Sequence, residues 1–151
     1  MKLRACAVLA LASIVSFAAE PAGAQTAPAY KVDAYWPKDL PENWLMGQVA
    51  GIAVDGQDNV WVLHRPRSLV DDEKGAMKDP PETRCCKPAP SVLVFSPDGT
   101  LLKSWGGPER GADWPKNEHG IHVDKDGNVW LGGNDKDDQV FKFTADGKLL
   151  M

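Results

Sequence analysis

The chain has 151 residues, of which 43% are hydrophobic; it carries a formal net charge of −4 and holds 14 glycines and 12 prolines. An acidic chain lacks the basic footprint that nucleic acid or an anionic membrane surface requires. An apolar fraction of this size, with so many turn-forming residues, excludes a disordered polymer and points to a turn-rich folded domain.

The first residues, Met1-Lys2-Leu3-Arg4, lead into a largely apolar run from Ala5 to Ala19 and then to Ala22-Gly23-Ala24 before Gln25. A charged start, an apolar stretch too short to span a bilayer and small residues at A-x-A spacing form a secretory signal, assigned to 1–24 and removed on export. Cys6 stands at the start of the apolar run instead of at the cleavage point, so no lipid anchor is expected. The mature protein is thus expected to be secreted or periplasmic, with no membrane contact after cleavage. Residues 25–46 form a lead-in.

The organisation beyond it is set by an internal repeat. Gly51-Ile52-Ala53-Val54-Asp55-Gly56-Gln57-Asp58-Asn59-Val60-Trp61-Val62 returns 69 positions on as Gly120-Ile121-His122-Val123-Asp124-Lys125-Asp126-Gly127-Asn128-Val129-Trp130-Leu131. A second unit, Val92 to Leu102 with Pro97-Asp98-Gly99 at its turn, returns 48 positions on as Val140 to Leu150 with Ala145-Asp146-Gly147. Short runs of β-branched and aromatic residues broken by Asp-Gly read as antiparallel strands around tight turns. Four such strands at a period of 40 to 50 residues make one blade of a β-propeller. The strands are predicted at about 49–55, 59–64, 92–96 and 101–105, then at about 120–124, 128–132, 139–144 and from 148 onward.

The fold class is therefore all-β, a propeller of NHL-repeat type with about two four-stranded blades present. The first blade covers 47–107 with an insertion at 66–90, a connecting loop covers 108–118, and the second blade covers 119–151. That blade is expected to be truncated, because the chain ends inside its fourth strand, and the two blades are not expected to fold as a stable monomer. Trp61 and Trp130 occupy equivalent places and are read as packing between neighbouring blades. The Asp124–Asn128 segment alternates acids as a calcium loop does, but its glycine comes too early and strands flank it, so it reads as a hairpin turn.

In an up-and-down blade the start of strand one and the end of strand two share a rim. His64 and Arg65 end one strand; Glu118 and His119 precede another in the next blade. They are expected to converge on one face of the central channel, with His122 a further candidate to line it. The 66–90 insertion leaves from that rim and is expected to act as a lid. Cys85 and Cys86, adjacent in an irregular loop, are candidates for disulfides with cysteines elsewhere, for a bond with each other, or for soft-metal ligation.

Gly47 to Asp55 leading to His64-Arg65, and His119 to Asn128 leading to Gln139-Val140-Phe141-Lys142, resemble the catalytic domain of the peptidyl-α-hydroxyglycine α-amidating lyase family, a six-bladed NHL-type propeller. The resemblance implies six blades in the whole propeller, with zinc and calcium as cofactors. It implies His119 as a zinc ligand, Arg65 as the catalytic arginine, and the main-chain carbonyls of Ile52 and Ile121 as calcium ligands. The implied reaction is metal-dependent C–N cleavage of a peptide or small-molecule carbinolamide. The family continues past its arginine with Gly-Asp-His, whereas Pro66-Arg67-Ser68-Leu69 stands here. The alternatives are a non-catalytic propeller that binds a protein or small ligand on its rim, and a lactonase-like propeller hydrolase.

Overall fold

The computed structural model describes residues 27–134, 136 and 139–151. The signal segment 1–24 lies outside them. The chain divides into two units, Met1–Val32 and Asp33–Met151. Within the first, the described residues 27–32 carry neither helix nor strand.

Among the described residues the second unit contains nine strands: β1 (Trp44–Leu45), β2 (Gln48–Val54), β3 (Val60–Arg65), β4 (Lys87–Pro88), β5 (Val92–Phe95), β6 (Leu101–Trp105), β7 (Glu118–Val123), β8 (Val129–Gly133) and β9 (Val140–Phe143). β2-β3-β5-β6 form an antiparallel meander, and β7-β8-β9 form a second one. The two are consecutive blades of a β-propeller, with first strands β2 and β7 packed side by side. Gly51 permits that approach: a Cβ there would stand 3.2 Å from the Ile121 nitrogen. The predicted fourth strand of the second blade is only begun, by a single bridge between Phe143 and Leu149.

Two apolar layers flank the first blade. Between the blades, Trp61, Leu63, Val92 and Val94 meet Val129, Leu131, Phe141 and Phe143, with Trp114 from the connecting segment added. On the other face, Val62, Leu93 and Phe95 are covered by Trp36, Leu40, Trp44 and Met46 of the lead-in. Because β3 and β5 are buried on both faces, Val60–Leu63 and Val92–Phe95 are unbroken apolar runs; β2 and β7, covered on one face, alternate in exposure. Trp36 Nε1 donates to the Pro97 carbonyl (3.1 Å) and Lys38 pairs with Asp98 (2.5 Å), which fixes the lead-in to the β5–β6 turn.

The repeated Asp-x-x-x-Asn-x-Trp pattern has a direct physical basis. The Asp55 carboxylate accepts from the Gln57 and Asn59 amides, from Asn59 Nδ2 and from Trp61 Nε1, at 2.9 to 3.0 Å. Asp124 accepts the same set from Asp126, Asn128 and Trp130, at 2.8 to 3.2 Å. Burial alone would raise the Asp55 carboxyl, yet the bonds from Trp61, Asn59 and Gln57 outweigh it and hold the group below the usual carboxylate range. The bond from Trp130 leads the causes that depress Asp124. Each carboxylate pins the hairpin turn and the indole that follows it. Trp61 is thereby buried between the blades, whereas Trp130 lies on the face turned away from the first blade, half-covered by Lys142 at 4.6 Å.

Replacing Asp55 by Ala strands a buried indole N–H and frees the turn. Urea unfolding should show a loss of about 1–3 kcal/mol; a loss under about 0.5 kcal/mol would mean the knot contributes no more than an ordinary surface contact.

Candidate functional site on the rim between the blades

The innermost strands carry matching irregularities. In β2, Val49 opposes His64 and Gly51 opposes Leu63, leaving Ala50 as an extra residue; in β7, Glu118 opposes Gly133 and Gly120 opposes Gly132, leaving His119. A bulge of this kind bends the strand and re-aims its side chain. His119 occupies it in the second blade and is exposed. Thus β7 begins at Glu118, and Glu118 and His119 belong to the strand instead of preceding it.

Arg65 reaches across from the first blade: its Nε donates to the Glu118 carbonyl at 2.7 Å, the oxygen of the peptide that leads into His119. Arg67 follows in the turn Pro66–Ser68 and donates to the carbonyls of Pro115 (3.1 Å) and Lys116. Ser68 Oγ donates to the Arg65 carbonyl and accepts from the Gln48 amide, both at 2.8 Å. These residues border an open cleft of about 350 Å³ lined by Gln48, Arg65, Arg67, Ser68, Lys116, Asn117 and Glu118. Three cations beside one acid, on a chain of net negative charge, make this a rim suited to an anionic or strongly polarised oxygen.

The acid is not part of the open surface. The Glu118 side chain is 1% exposed. Its Oε1 accepts from Trp114 Nε1 (2.8 Å) and from Ser91 Oγ (3.4 Å), and its Oε2 faces Arg67 Nη2 at 3.5 Å. Ser91 belongs to the first blade's approach to β5, Trp114 to the connecting segment and Arg67 to the insertion. The sequence places Glu118 on the rim together with His119 but gives no sign that its side chain turns inward, and it does not single out Arg67, Ser91 or Trp114. The available signal was the repeat itself: the first-blade counterpart of Glu118 is Val49, which is 54% exposed.

His64, a channel or rim candidate from sequence, is fully buried. Its Nδ1 accepts from the Gly47 amide (3.1 Å) and its Nε2 donates to the Pro90 carbonyl (2.9 Å), so both ring nitrogens are committed and the tautomer follows from the partners. It is a structural histidine that clamps Gly47, just before β2, and the end of the insertion onto β3. His122 is exposed and stands opposite Trp130. Ile121 and Val123 pack between the blades, so His122, alternating with them, lies on the far face and not beside His119.

The insertion does not act over its whole length as a lid on this rim. Its first turn borders the cleft, whereas Lys74 and Met77 lie with Trp44, Trp105 and Pro108 around a second cleft, which Pro66 and Arg67 also line. β4 pairs in parallel with β1, so the loop is stitched to the lead-in. Cys85 and Cys86 stand side by side in this loop with their sulfur atoms in contact.

Two metals follow from the family resemblance, and the residues can be tested against each. β2 and β7 are terminal strands of their sheets, so one backbone edge of each lacks a strand partner among the described residues, as carbonyl ligation by Ile52 and Ile121 requires. Ile52 and Ile121 stand at the same step beyond the two bulges. Zinc needs three or four side-chain donors. Among the described residues no group of three His, Cys, Asp or Glu converges, so these residues alone do not fit a zinc centre.

No protein-family model matches the chain. Among solved structures it is similar to selenomethionine-substituted virginiamycin B lyase from Staphylococcus aureus, at 16% identity and a TM-score of 0.39 over 68% of this chain and 26% of that one. It is also similar to a catalytically inactive form of the same lyase with quinupristin, at 17% identity and a TM-score of 0.40 over 73% of this chain and 27% of that one. The chain thus spans about a quarter of the length of these structures. The blade assignment rests on the sheet order and repeat of this chain.

Burial of the imidazole pushes the His64 pKa below 6.5, against the bond to Pro90 and the negative charge of Glu118. The unfolded chain therefore takes up this proton first, so the stability His64 contributes is complete above about pH 6.5 and declines as pH falls below it. Thermal unfolding at a series of pH values should show that decline in the parent chain and a flatter profile in His64→Gln. Equal slopes would remove His64 as its source.

Proposed function

We propose that this chain supplies two consecutive blades of an exported lyase-type β-propeller whose reacting group is held on the rim between them. The observation that carries the reading is Arg65: it crosses from one blade to the other and is fixed by its Nε, which leaves the remaining guanidinium donors for a ligand.

The finer reading is C–N cleavage of a carbinolamide, as the resemblance to amidating lyases implies. The substrate hydroxyl loses its proton, its oxygen forms the carbonyl of glyoxylate, and the C–N bonding pair stays on nitrogen, which takes up a proton to give the amide. Atoms and electrons balance without a co-reactant. Arg65 would stabilise the negative charge that develops on the hydroxyl oxygen. His119 is proposed as a single imidazole donor toward zinc, and the carbonyls of Ile52 and Ile121 as donors toward calcium. No step is assigned to zinc, because one imidazole does not make its centre. The ligand is a peptide or small molecule, and the same rim serves a partner protein if the propeller is not catalytic.

Glyoxylate, the anionic product of that reaction, is a suitable probe. Isothermal titration should detect its binding to the full chain, with Arg65→Ala weakening it by about tenfold or more. Lys38→Ala, in the lead-in where it pairs with Asp98, should leave it unchanged. Equal binding by Arg65→Ala and the parent chain would rule out the rim arginine as the anion contact.

A further inference from the structure

We infer that Glu118 is the positioning residue of this rim: its buried carboxylate sets where Arg65 and His119 point, and it touches the ligand with neither oxygen. The inference rests on the reading of the rim as the binding site.

Three groups from three different segments converge on this one carboxylate: the indole N–H of Trp114, the hydroxyl of Ser91 and the guanidinium of Arg67. A buried carboxylate is tolerated only when its oxygens are met by donors or an opposite charge. Each partner therefore holds Glu118, and Glu118 holds each partner. Trp114 is itself 2% exposed and stands edge-on to Trp105 and against Phe143, so the carboxylate is anchored to the core between the blades.

The backbone of the same residue does the positioning. Its carbonyl is the acceptor for Arg65 Nε, and the next residue along is the bulged His119. A fixed Glu118 side chain therefore fixes the peptide plane between residues 118 and 119. That plane sets both the direction of the Arg65 guanidinium and the step in the chain from which the imidazole projects. The repeat gives a control within the molecule: at the equivalent bulge of the first blade the preceding residue is Val49, the bulged residue is Ala50, and no buried carboxylate is present. The bulge needs no acid to form. The acid is present in the blade whose bulge carries a histidine.

The test follows the Arg65 Nε proton by NMR in the full chain, with glyoxylate titration alongside. In Glu118→Ala the Nε proton should exchange with water about tenfold faster or more, as expected when its acceptor is no longer held, and glyoxylate should bind about tenfold more weakly. Glu118→Gln keeps an acceptor for Trp114 and Ser91 but loses the charge opposite Arg67, so it should lie between the parent and Glu118→Ala. If Glu118→Ala does not fold, Glu118→Gln and Ser91→Ala carry the test. Leu131→Ala, a core truncation that removes none of the carboxylate's hydrogen-bond partners, should lower stability without moving the Arg65 signal. An unmoved Arg65 signal in the Glu118 variants, or the same shift in Leu131→Ala, would overturn the positioning role. If the Arg65 signal moves as expected while the parent chain fails to bind glyoxylate, the positioning role stands and the anion-binding reading falls. If Arg65→Ala abolishes binding while the Glu118 variants bind normally, the reverse holds.

Discussion

A carboxylate with 1% exposure cannot be left without partners, and the demand to satisfy Glu118 organises the upper half of this structure. It draws the connecting segment inward through Trp114, the insertion across through Arg67 and the first blade's approach to β5 through Ser91. The two blades would stack without it, since the apolar layer from Trp61 to Phe143 is continuous between them. Apolar packing, however, tolerates sliding and rotation, whereas a hydrogen-bonded charge fixes direction. Arg65 and His119 are placed by that second kind of constraint, one from each blade.

At the opposite ends of the same strands the constraint is repeated in simpler form. Asp55 and Asp124 each satisfy two backbone amides, an asparagine and an indole, so every hairpin between first and second strands closes in the same geometry. The lower turns are thus interchangeable, and the upper rims are not. His64 and the lead-in hold the first rim closed, while the second opens onto a bulged histidine. The asymmetry between two blades of one repeat is where specific chemistry is to be sought.

This distinction also explains which parts of the molecule were legible in the sequence. The blades were, because the Asp-Asn-Trp knot and the Asp-Gly turns recur at fixed offsets and each residue type there has a local reason. The meeting of Arg65 with the start of the second blade was legible too, because antiparallel pairing alone brings those strand ends to one rim. His64 was not: nothing in a lone histidine at a strand end says that Gly47 and Pro90 will take both of its nitrogens. The covering of Val62, Leu93 and Phe95 by Trp36, Leu40, Trp44 and Met46 was also hidden, since the lead-in has no counterpart in the repeat. The course of the insertion depends on β1 meeting β4, a two-residue pairing with no periodic signal. Glu118 stood in plain view as an acid where the repeat has Val49, but only the fold shows that the position turns inward.

The central claim is that the Glu118 carboxylate and the groups around it act as one unit. A double-mutant cycle between Arg67 and Glu118, using Arg67→Met, Glu118→Gln and the pair, with stability read from urea unfolding, measures that coupling directly. The account predicts a favourable interaction energy of about 0.5 to 3 kcal/mol. Strict additivity of the two substitutions would contradict it, leaving Arg67 and Glu118 as neighbours that do not hold one another.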